Sequence, residues 1–217
     1  MSIRQSIQSK PPIPDDLART LEGGGIATIL RLIRDAYFDL VQKRIVSFAM
    51  DENEITEEWF VCLQLRWQST GLSLVPILEK PDKTKKRGNR GKPPTIDCCF
   101  RSQWHRQSYF GIECKLVEAN DKTLCDKYVQ NGVQRFMDCR YSSKCSEGAM
   151  LGYVRQTLCS DVAMQLHTKI NALNTGYKLS QTNQMLPFEA HYVSKHHREK
   201  CLSPFTLHHF LLFFDVG

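Results

Sequence analysis

Long hydrophobic runs are absent from this 217-residue chain, which contains no stretch of about 18 apolar residues that could form a membrane span. Its first residues, MSIRQSIQSKPPIPDD, lack the apolar stretch of a secretory signal, and we interpret residues 1–22 as a flexible arm. The remaining residues, 23–217, have the length of one compact domain. These absences predict a cytoplasmic protein that makes no contact with a membrane.

The cysteines also lack the spacing that is typical of metal sites. The chain has nine cysteines, an odd number, and no CxxC pair. A disulfide framework normally belongs to a small secreted chain, so we predict reduced thiols that pack as small apolar side chains. A zinc site formed by Cys125, Cys139, Cys145 and nearby histidines is an alternative, although the usual ligand spacings are missing.

Positive charge is in modest excess, with 29 lysines and arginines against 23 acidic residues and a net charge of +6. This balance permits a polyanionic partner. The segment KPDKTKKRGNRGKPP has no apolar side chain and predicts a solvated loop. Its cations are candidates for contacts with nucleic-acid phosphates, the alternative being plain disorder: Lys83, Lys85, Lys86, Arg87, Arg90 and Lys92.

The pattern of apolar residues predicts a mixed α/β domain with a central sheet flanked by helices. Asp51 and Glu54 have the spacing of a capping box at the start of the second helix, and Ser160 is a candidate N-cap of the last helix. The predicted helices cover about 26–45, 51–67, 122–141 and 160–174. The predicted strands cover 72–80, two parts of 93–118, 149–155, 188–198 and 204–215.

Three charged residues interrupt the strand pair of 93–118. A turn centred on His105 would place Asp97 opposite Glu113 in an antiparallel hairpin, with their Cβ atoms about 5 Å apart. Glu113 and Lys115 share one face of their strand because side chains alternate. The alternate residues would face the core: Ile112, Cys114 and Leu116.

This arrangement has the parts that metal-assisted phosphodiester hydrolysis requires. Paired carboxylates, here Asp97 and Glu113, repel each other unless a divalent cation lies between them, and hard oxygen ligands suit Mg²⁺ or Mn²⁺. Such an ion polarises a phosphate and activates water. The ammonium of Lys115 could orient that water or stabilise developing charge. The alternative is a surface cluster of salt bridges without catalytic function.

The segments TID and ECK, separated by 15 residues, resemble the signature of the PD-(D/E)xK nucleases, which have a restriction-endonuclease-like fold. The resemblance implies that Asp97 and Glu113 hold the metal and that Lys115 assists hydrolysis. The similar core covers about 51–154, and its predicted order of a helix, three strands, a helix and a strand is similar to that of the family. Strands within 188–214 follow. Members often add an acidic ligand from the preceding helix, for which Glu54 is the first candidate, followed by Glu52 and Glu57. Capping of Asp51 is the alternative role of Glu54.

Further segments, GVQRFMDCRY, GAMLGYV, YVSKHHR and LHHF, are similar to small nucleases of bacterial anti-phage defence. The resemblance implies DNA as the substrate and an effector role in a defence complex. Regulation would come from a partner protein, such as an ATPase or sensor subunit, or from homo-oligomerisation. The alternatives are an RNase and a catalytically silent scaffold or nucleic-acid-binding subunit.

The C-terminal region is dense in histidine, and its role is not fixed by the sequence. We interpret these residues as polar faces of strands or as a partner interface, with phosphate contact or proton transfer as alternatives: His196, His197, Arg198, His208 and His209.

Overall fold

The computed structural model describes residues 25–81, 95–102, 108–173, 180–181 and 190–216. The predicted arm and the basic loop lie outside these residues. The described helices are α1 (Ile26–Lys43), α2 (Glu52–Gln68), α3 (Lys122–Lys127), α4 (Gln134–Met137) and α5 (Cys159–Asn171). A π-helical segment, Tyr128–Val133, joins α3 to α4. No helix in the described ranges is long and apolar enough to cross a membrane.

The strands of the described chain form one sheet between these helices, in the order β1-β2-β3-β4-β7-β6-β5. Strand β3 is parallel to β4, β4 is parallel to β7, and the other neighbours are antiparallel. The strands are β1 (Val75–Pro81), β2 (Thr95–Arg101), β3 (Tyr109–Leu116), β4 (Glu147–Val154), β5 (Ser180–Gln181), β6 (His191–His196) and β7 (Phe205–Phe213). The prediction of a mixed α/β domain with a sheet flanked by helices is confirmed.

Helices α1 and α2 cover one face of the sheet because each presents an apolar stripe to it. Trp59 of α2 is fully buried in this layer, and burial of a side chain of this size contributes at least about 2 kcal/mol. The hydroxyl of Thr56 lies 3.0 Å from that of Tyr153 and links α2 to β4. The hydroxyl of Tyr37 donates to the carbonyl of Phe213 at 2.6 Å and links α1 to β7. Both helices are therefore joined to the sheet by side-chain hydrogen bonds as well as by apolar packing.

The first turn of α2 begins with the predicted capping box. The carboxylate of Asp51 accepts hydrogen bonds from the backbone N–H groups of Asn53 and Glu54, and Glu54 Oε2 accepts from the N–H of Asp51 at 2.7 Å. This prediction is confirmed. Because the cap fixes the first turn, it also fixes the direction of Glu52, the first residue of the helix.

The π-helical segment and helices α3 to α5 cover the opposite face. Gly132 lets this segment approach the sheet closely, because a Cβ atom there would lie 2.3 Å from Cε of Met150 and 3.9 Å from Cγ of Glu113. An insertion of this kind in a helix is common at functional sites. The segment therefore packs directly over the strand that carries Glu113.

Two local predictions are wrong. Ser160 is not the N-cap of α5, which begins at Cys159 after Leu158 and has no side-chain cap. Cys139 and Cys201 form a disulfide, so the cysteines are not all reduced. No sequence pattern indicates this pair, because 62 positions separate the two residues and only tertiary folding brings them together. The other seven cysteines are free thiols, and six of them are buried, as predicted.

Candidate active site

Strands β2 and β3 have the register that the sequence predicted. Cys98 pairs with Ile112 and Arg101 pairs with Tyr109, and both pairs are centred on position 105. Asp97 and Glu113 are the next residues outward from the first pair. The predicted turn itself lies among residues 103–107, outside the described part of the chain.

The carboxylate of Asp97 is anchored to the neighbouring strand. Its Oδ2 atom accepts a hydrogen bond from the backbone N–H of Cys114 at 2.7 Å. This bond holds Asp97 beside Glu113, one residue beyond the Cys98–Ile112 pair at which the β2–β3 ladder ends. The predicted core side of β3 is also observed, since Ile112 and Cys114 are fully buried among the apolar side chains under α1 and α2.

Three carboxylates surround the ammonium of Lys115. Its Nζ atom lies 2.8 Å from Glu52 Oε1, 3.1 Å from Glu113 Oε1 and 3.6 Å from Asp97 Oδ2. It also donates to the carbonyl of Cys114. The structure thus brings together the predicted residues Asp97, Glu113 and Lys115, and it adds Glu52. We call these four residues the acidic cluster.

The helix contributes Glu52 rather than Glu54, which corrects the first choice for the third acidic residue. The carboxylate of Glu54 is used in the capping box, and Glu57 is exposed. Glu52 instead reaches β3, where its Oε2 atom accepts from the N–H of Leu116 at 3.0 Å. In α2, therefore, the third residue folds back on the cap, and the first residue reaches the neighbouring strand.

Glu113 is the most buried member, with 1% of its side chain exposed. Burial and the charge of Asp97 raise the pKa of Glu113 to about 8, against the lowering influence of Lys115 and Arg135. Burial likewise raises the pKa of Asp97, and Lys115 partly offsets this change. Burial alone would lower the pKa of Lys115, but the carboxylates of Glu113, Asp97 and Glu52 raise it. Lys115 is therefore a permanent cation.

One oxygen of Glu113 has no hydrogen-bond partner among the residues that the structure describes. Glu113 Oε2 is buried and unsatisfied, whereas Oε1 contacts both Lys115 and Arg135. A buried carboxylate oxygen without a donor is unfavourable, and a cation is the ligand that such an oxygen favours. Carboxylate oxygens, which Asp97 and Glu52 also carry, are the ligand type that Mg²⁺ and Mn²⁺ prefer.

The ammonium currently competes for these oxygens. Among the described residues, no group of three or more His, Cys, Asp or Glu side chains is arranged to hold a metal ion as it stands. The oxygens of Glu52 and Glu113 are both in contact with Lys115 Nζ. A metal ion that binds them must therefore displace this ammonium from the carboxylates.

Arg135 and Tyr141 belong to the same cluster, although no sequence pattern linked them to it. Arg135 Nη1 donates to Glu113 Oε1 at 3.2 Å and to the hydroxyl of Tyr141 at 2.8 Å. That hydroxyl donates in turn to the carbonyl of Thr95 at 2.6 Å. Arg135 lies on α4, 22 residues after Glu113 in the chain, so only the packing of the helical layer brings it to Glu113.

The predicted polar strand faces of the histidine-rich region are not observed for three of the four histidines. His196, His208 and His209 are buried, and only His197 is exposed. Arg198 is also buried and donates to several backbone carbonyls, including that of Cys145 at 2.8 Å. The sequence misled because most of the hydrogen bonds of the buried histidines are made to residues on neighbouring strands or, for His209, to Tyr128 of the π-helical segment, and those contacts are not local.

The buried histidines form two hydrogen-bonded chains. In the first, His209 Nδ1 lies 3.0 Å from the hydroxyl of Tyr128, and the hydroxyl of Ser194 lies 2.8 Å from His209 Nε2 and 2.6 Å from His196 Nε2. The second chain joins His191 Nε2 to His208 Nδ1 at 3.1 Å and His208 Nε2 to Glu147 at 2.8 Å. Met150 pairs with both Glu113 and His209, so two strand spacings, about 10 Å, separate the first chain from the acidic cluster.

The alternative zinc site is not formed. Cys139 is in the disulfide, and the thiol of Cys125 donates to the carbonyl of Glu118. The six predicted phosphate-contacting cations of residues 83–92 lie outside the described residues.

Comparisons of the chain with protein-family models, with curated proteins and with solved structures gave no match. The functional argument therefore depends on the geometry of the acidic cluster.

Proposed function

We propose that the chain is a metal-dependent nuclease of restriction-endonuclease-like fold that hydrolyses phosphodiester bonds of DNA. The observation that carries this proposal is the convergence of Glu52, Asp97 and Glu113 on the ammonium of Lys115. Three acidic groups and one lysine in a partly buried cluster are what hydrolysis of a phosphodiester with a divalent cation requires.

Asp97, Glu113 and Glu52 would hold the cation, Mg²⁺ or Mn²⁺. When bound, it would polarise the phosphate and lower the pKa of a water molecule. Lys115 has a raised pKa and keeps its proton, so it is suited to donate hydrogen bonds and unsuited to act as a general base. Its role is to orient the attacking water and to stabilise negative charge on the phosphate.

The order of elements supports this assignment. Helix α2 precedes the strands β1, β2 and β3, the helical segments α3 to α4 follow, and β4 then pairs parallel with β3. This is the order of helix, three strands, helix and strand that accompanies the resemblance in the sequence. The acidic cluster also lies on the second and third of those strands, where the resemblance places the metal ligands.

DNA is the proposed substrate because of the resemblance and the basic segment 83–92. Six cations in ten residues, directly before the strand that carries Asp97, are suited to contacts with backbone phosphates. The role in a bacterial defence complex, with a regulatory ATPase, a sensor subunit or a second copy of the chain as partner, is part of the same proposal and depends on the resemblance alone.

A catalytically silent DNA-binding subunit is the second candidate, and one observation favours it. Lys115 already contacts oxygens of all three acidic residues, so the cluster is balanced by an internal cation. The unsatisfied Glu113 Oε2 argues for the enzyme, because a purely structural ion cluster would be expected to use both oxygens of its most buried carboxylate.

The experiment is cleavage of plasmid DNA and of RNA by the purified chain with Mg²⁺ and with EDTA. We expect DNA cleavage with Mg²⁺ alone, abolished in Asp97→Ala and Lys115→Ala. Asp126 and Lys169 form a separate Asp–Lys ion pair between α3 and α5 and give matched controls, Asp126→Ala and Lys169→Ala, which should cleave normally. Equal cleavage by the Asp97 and Lys115 variants would disprove the assignment, DNA binding without cleavage would support the silent subunit, and cleavage of RNA alone would indicate an RNase.

A further inference from the structure

We propose that Arg135 binds a non-bridging oxygen of the phosphodiester that is cleaved, and that Tyr141 positions it. This inference rests on the proposed function and names the group that receives the substrate phosphate. Nothing in the sequence pattern of TID and ECK points to either residue. The inference depends on where α4 places the guanidinium.

The position of Arg135 is suited to a ligand that enters from solvent. About a third of its side chain is exposed, whereas Glu113 beneath it is buried. Within the described residues, its hydrogen bonds to Glu113 and Tyr141 both use Nη1. The remaining guanidinium nitrogens are therefore available for a phosphate, which matches the planar fork of arginine better than the point charge of lysine.

Tyr141 holds the guanidinium in this position. Its ring is fully buried and packs edge-on against Phe136, with centroids 5.5 Å apart. Its hydroxyl accepts from Arg135 and donates to the carbonyl of Thr95, the first residue of β2. The disulfide of Cys139 fixes the backbone next to it. A cation held before the substrate arrives needs little reorganisation on binding.

The charges of the cluster favour a monoanionic ligand. When all are ionised, Glu52, Asp97, Glu113, Lys115 and Arg135 sum to −1. A divalent cation changes the sum to +1, and one phosphodiester, with a charge of −1, would then make it neutral. Without Arg135 the metal-loaded cluster would carry no net charge and would attract a phosphodiester only weakly.

The simpler interpretation is that Arg135 only neutralises Glu113. The two interpretations differ in one measurable respect, the number of DNA phosphates that the protein neutralises. Each such contact adds about −0.9 to the slope of log K against log salt concentration. This slope can be measured without cleavage, so its result is independent of the proposed nuclease activity.

The test uses the full chain and a short fluorescein-labelled DNA duplex, with Ca²⁺ for binding and Mg²⁺ for cleavage. We expect Arg135→Gln to make the salt slope less negative by about 0.9 and to lower kcat by at least about 100-fold. Arg135→Lys should restore the slope but not kcat, because it restores the charge without the fork. Tyr141→Phe should lower kcat and leave the slope unchanged.

Arg66→Ala is the control, since Arg66 pairs with Asp39 on the helices that cover the other face of the sheet, and it should change neither quantity. Melting curves show whether each variant folds. If Arg135→Gln does not fold, the loss of kcat in Arg135→Lys tests the inference in its place. A wild-type slope in Arg135→Gln, or a wild-type chain that does not bind the duplex, would overturn the inference. Binding with a changed slope but no cleavage by the wild type would overturn the nuclease proposal and leave Arg135 as a phosphate contact.

Discussion

The carboxylate of Glu52 lies 2.8 Å from the ammonium of Lys115, although 63 residues separate them in the chain. The other oxygen of Glu52 accepts the backbone N–H of Leu116, so the first turn of α2 is bonded to the end of β3 at two points. A helix that also packs through Trp59 and Thr56 thereby supplies one wall of the acidic cluster.

Substitution of Glu52 should affect metal binding, whereas substitution of Glu54 should affect only the stability of the fold. Glu52→Gln should lower Mg²⁺ affinity and Mg²⁺-dependent cleavage by at least about 10-fold, since even groups that only support a ligand have effects of this size. Glu54→Ala should cleave normally but lose about 0.3–1.5 kcal/mol of stability, because it removes one of the two reciprocal bonds of the capping box. Calorimetric metal titration and urea denaturation measure the two effects. Loss of metal binding in Glu54→Ala alone would show that the first prediction from the sequence was right.

Metal binding should strengthen as pH rises toward 8. The pKa of Glu113 is raised to about 8 by burial and by Asp97, so its carboxyl is mostly protonated below that value. A metal ion binds the deprotonated form, and its affinity should therefore rise up to about tenfold per pH unit below pH 8 and level off above it. Mn²⁺ titrations across this range test the sign. Glu113→Gln should abolish the dependence, and a wild-type affinity that is flat from about pH 6 to pH 8 would contradict the role of Glu113.

Much of the site could be predicted from local pattern, and the rest could not. The opposition of Asp97 and Glu113 follows from strand register, and the shared face of Glu113 and Lys115 follows from side-chain alternation. The choice between Glu52 and Glu54 depends on the direction of α2 relative to β3, which is a tertiary property. Arg135 reaches Glu113 only because the π-helical segment packs closely over the sheet at Gly132.

The same limit applies to the C-terminal half of the fold. The strands of residues 188–215 were predicted, because alternation and β-branched or aromatic residues mark them. The burial of His208 and His209 was not, because it depends on hydrogen bonds to Glu147, Tyr128 and Ser194 in other elements, and His196 joins them through Ser194 of its own strand. The Cys139–Cys201 disulfide is likewise a product of tertiary contact.

The stability of the protein should fall in mild acid because of its buried histidines. Burial lowers the pKa of His196 from 6.5 to about 4, so the unfolded chain binds a proton more readily than the folded chain does. The contribution of this group to stability is complete above its unfolded pKa and is lost as pH falls toward 4. We expect His196 to account for a loss on the order of 1–2 kcal/mol between about pH 7 and about pH 5.

Urea denaturation of His196→Gln and of His197→Gln at these two pH values separates the effect. The first variant should show a smaller difference between the two pH values than the wild type, and the second, at an exposed neighbour, should show the wild-type difference. Equal behaviour of the two variants would contradict the assignment to the buried imidazole.

The disulfide should contribute measurably to stability. It closes a segment of 62 residues between α4 and the β6–β7 connection, and the loss of a bridge of this length costs about 2–4 kcal/mol. Reductant should lower the Tm of the wild type and leave that of the double variant Cys139→Ser/Cys201→Ser unchanged. Cys159→Ser, at a free thiol, is the control and should respond like the wild type. Titration of nine thiols in the unreduced, denatured protein, in place of seven, would show that the bridge is absent.

The most direct test of the catalytic centre is a crystal structure of the chain grown with Mn²⁺, with anomalous diffraction recorded at the manganese edge. The account predicts a peak in contact with Asp97 and Glu113, with Glu52 as a further ligand and with Lys115 displaced from its present contacts with the carboxylates. Absence of a peak at saturating Mn²⁺, with Lys115 still among the three carboxylates, would contradict it.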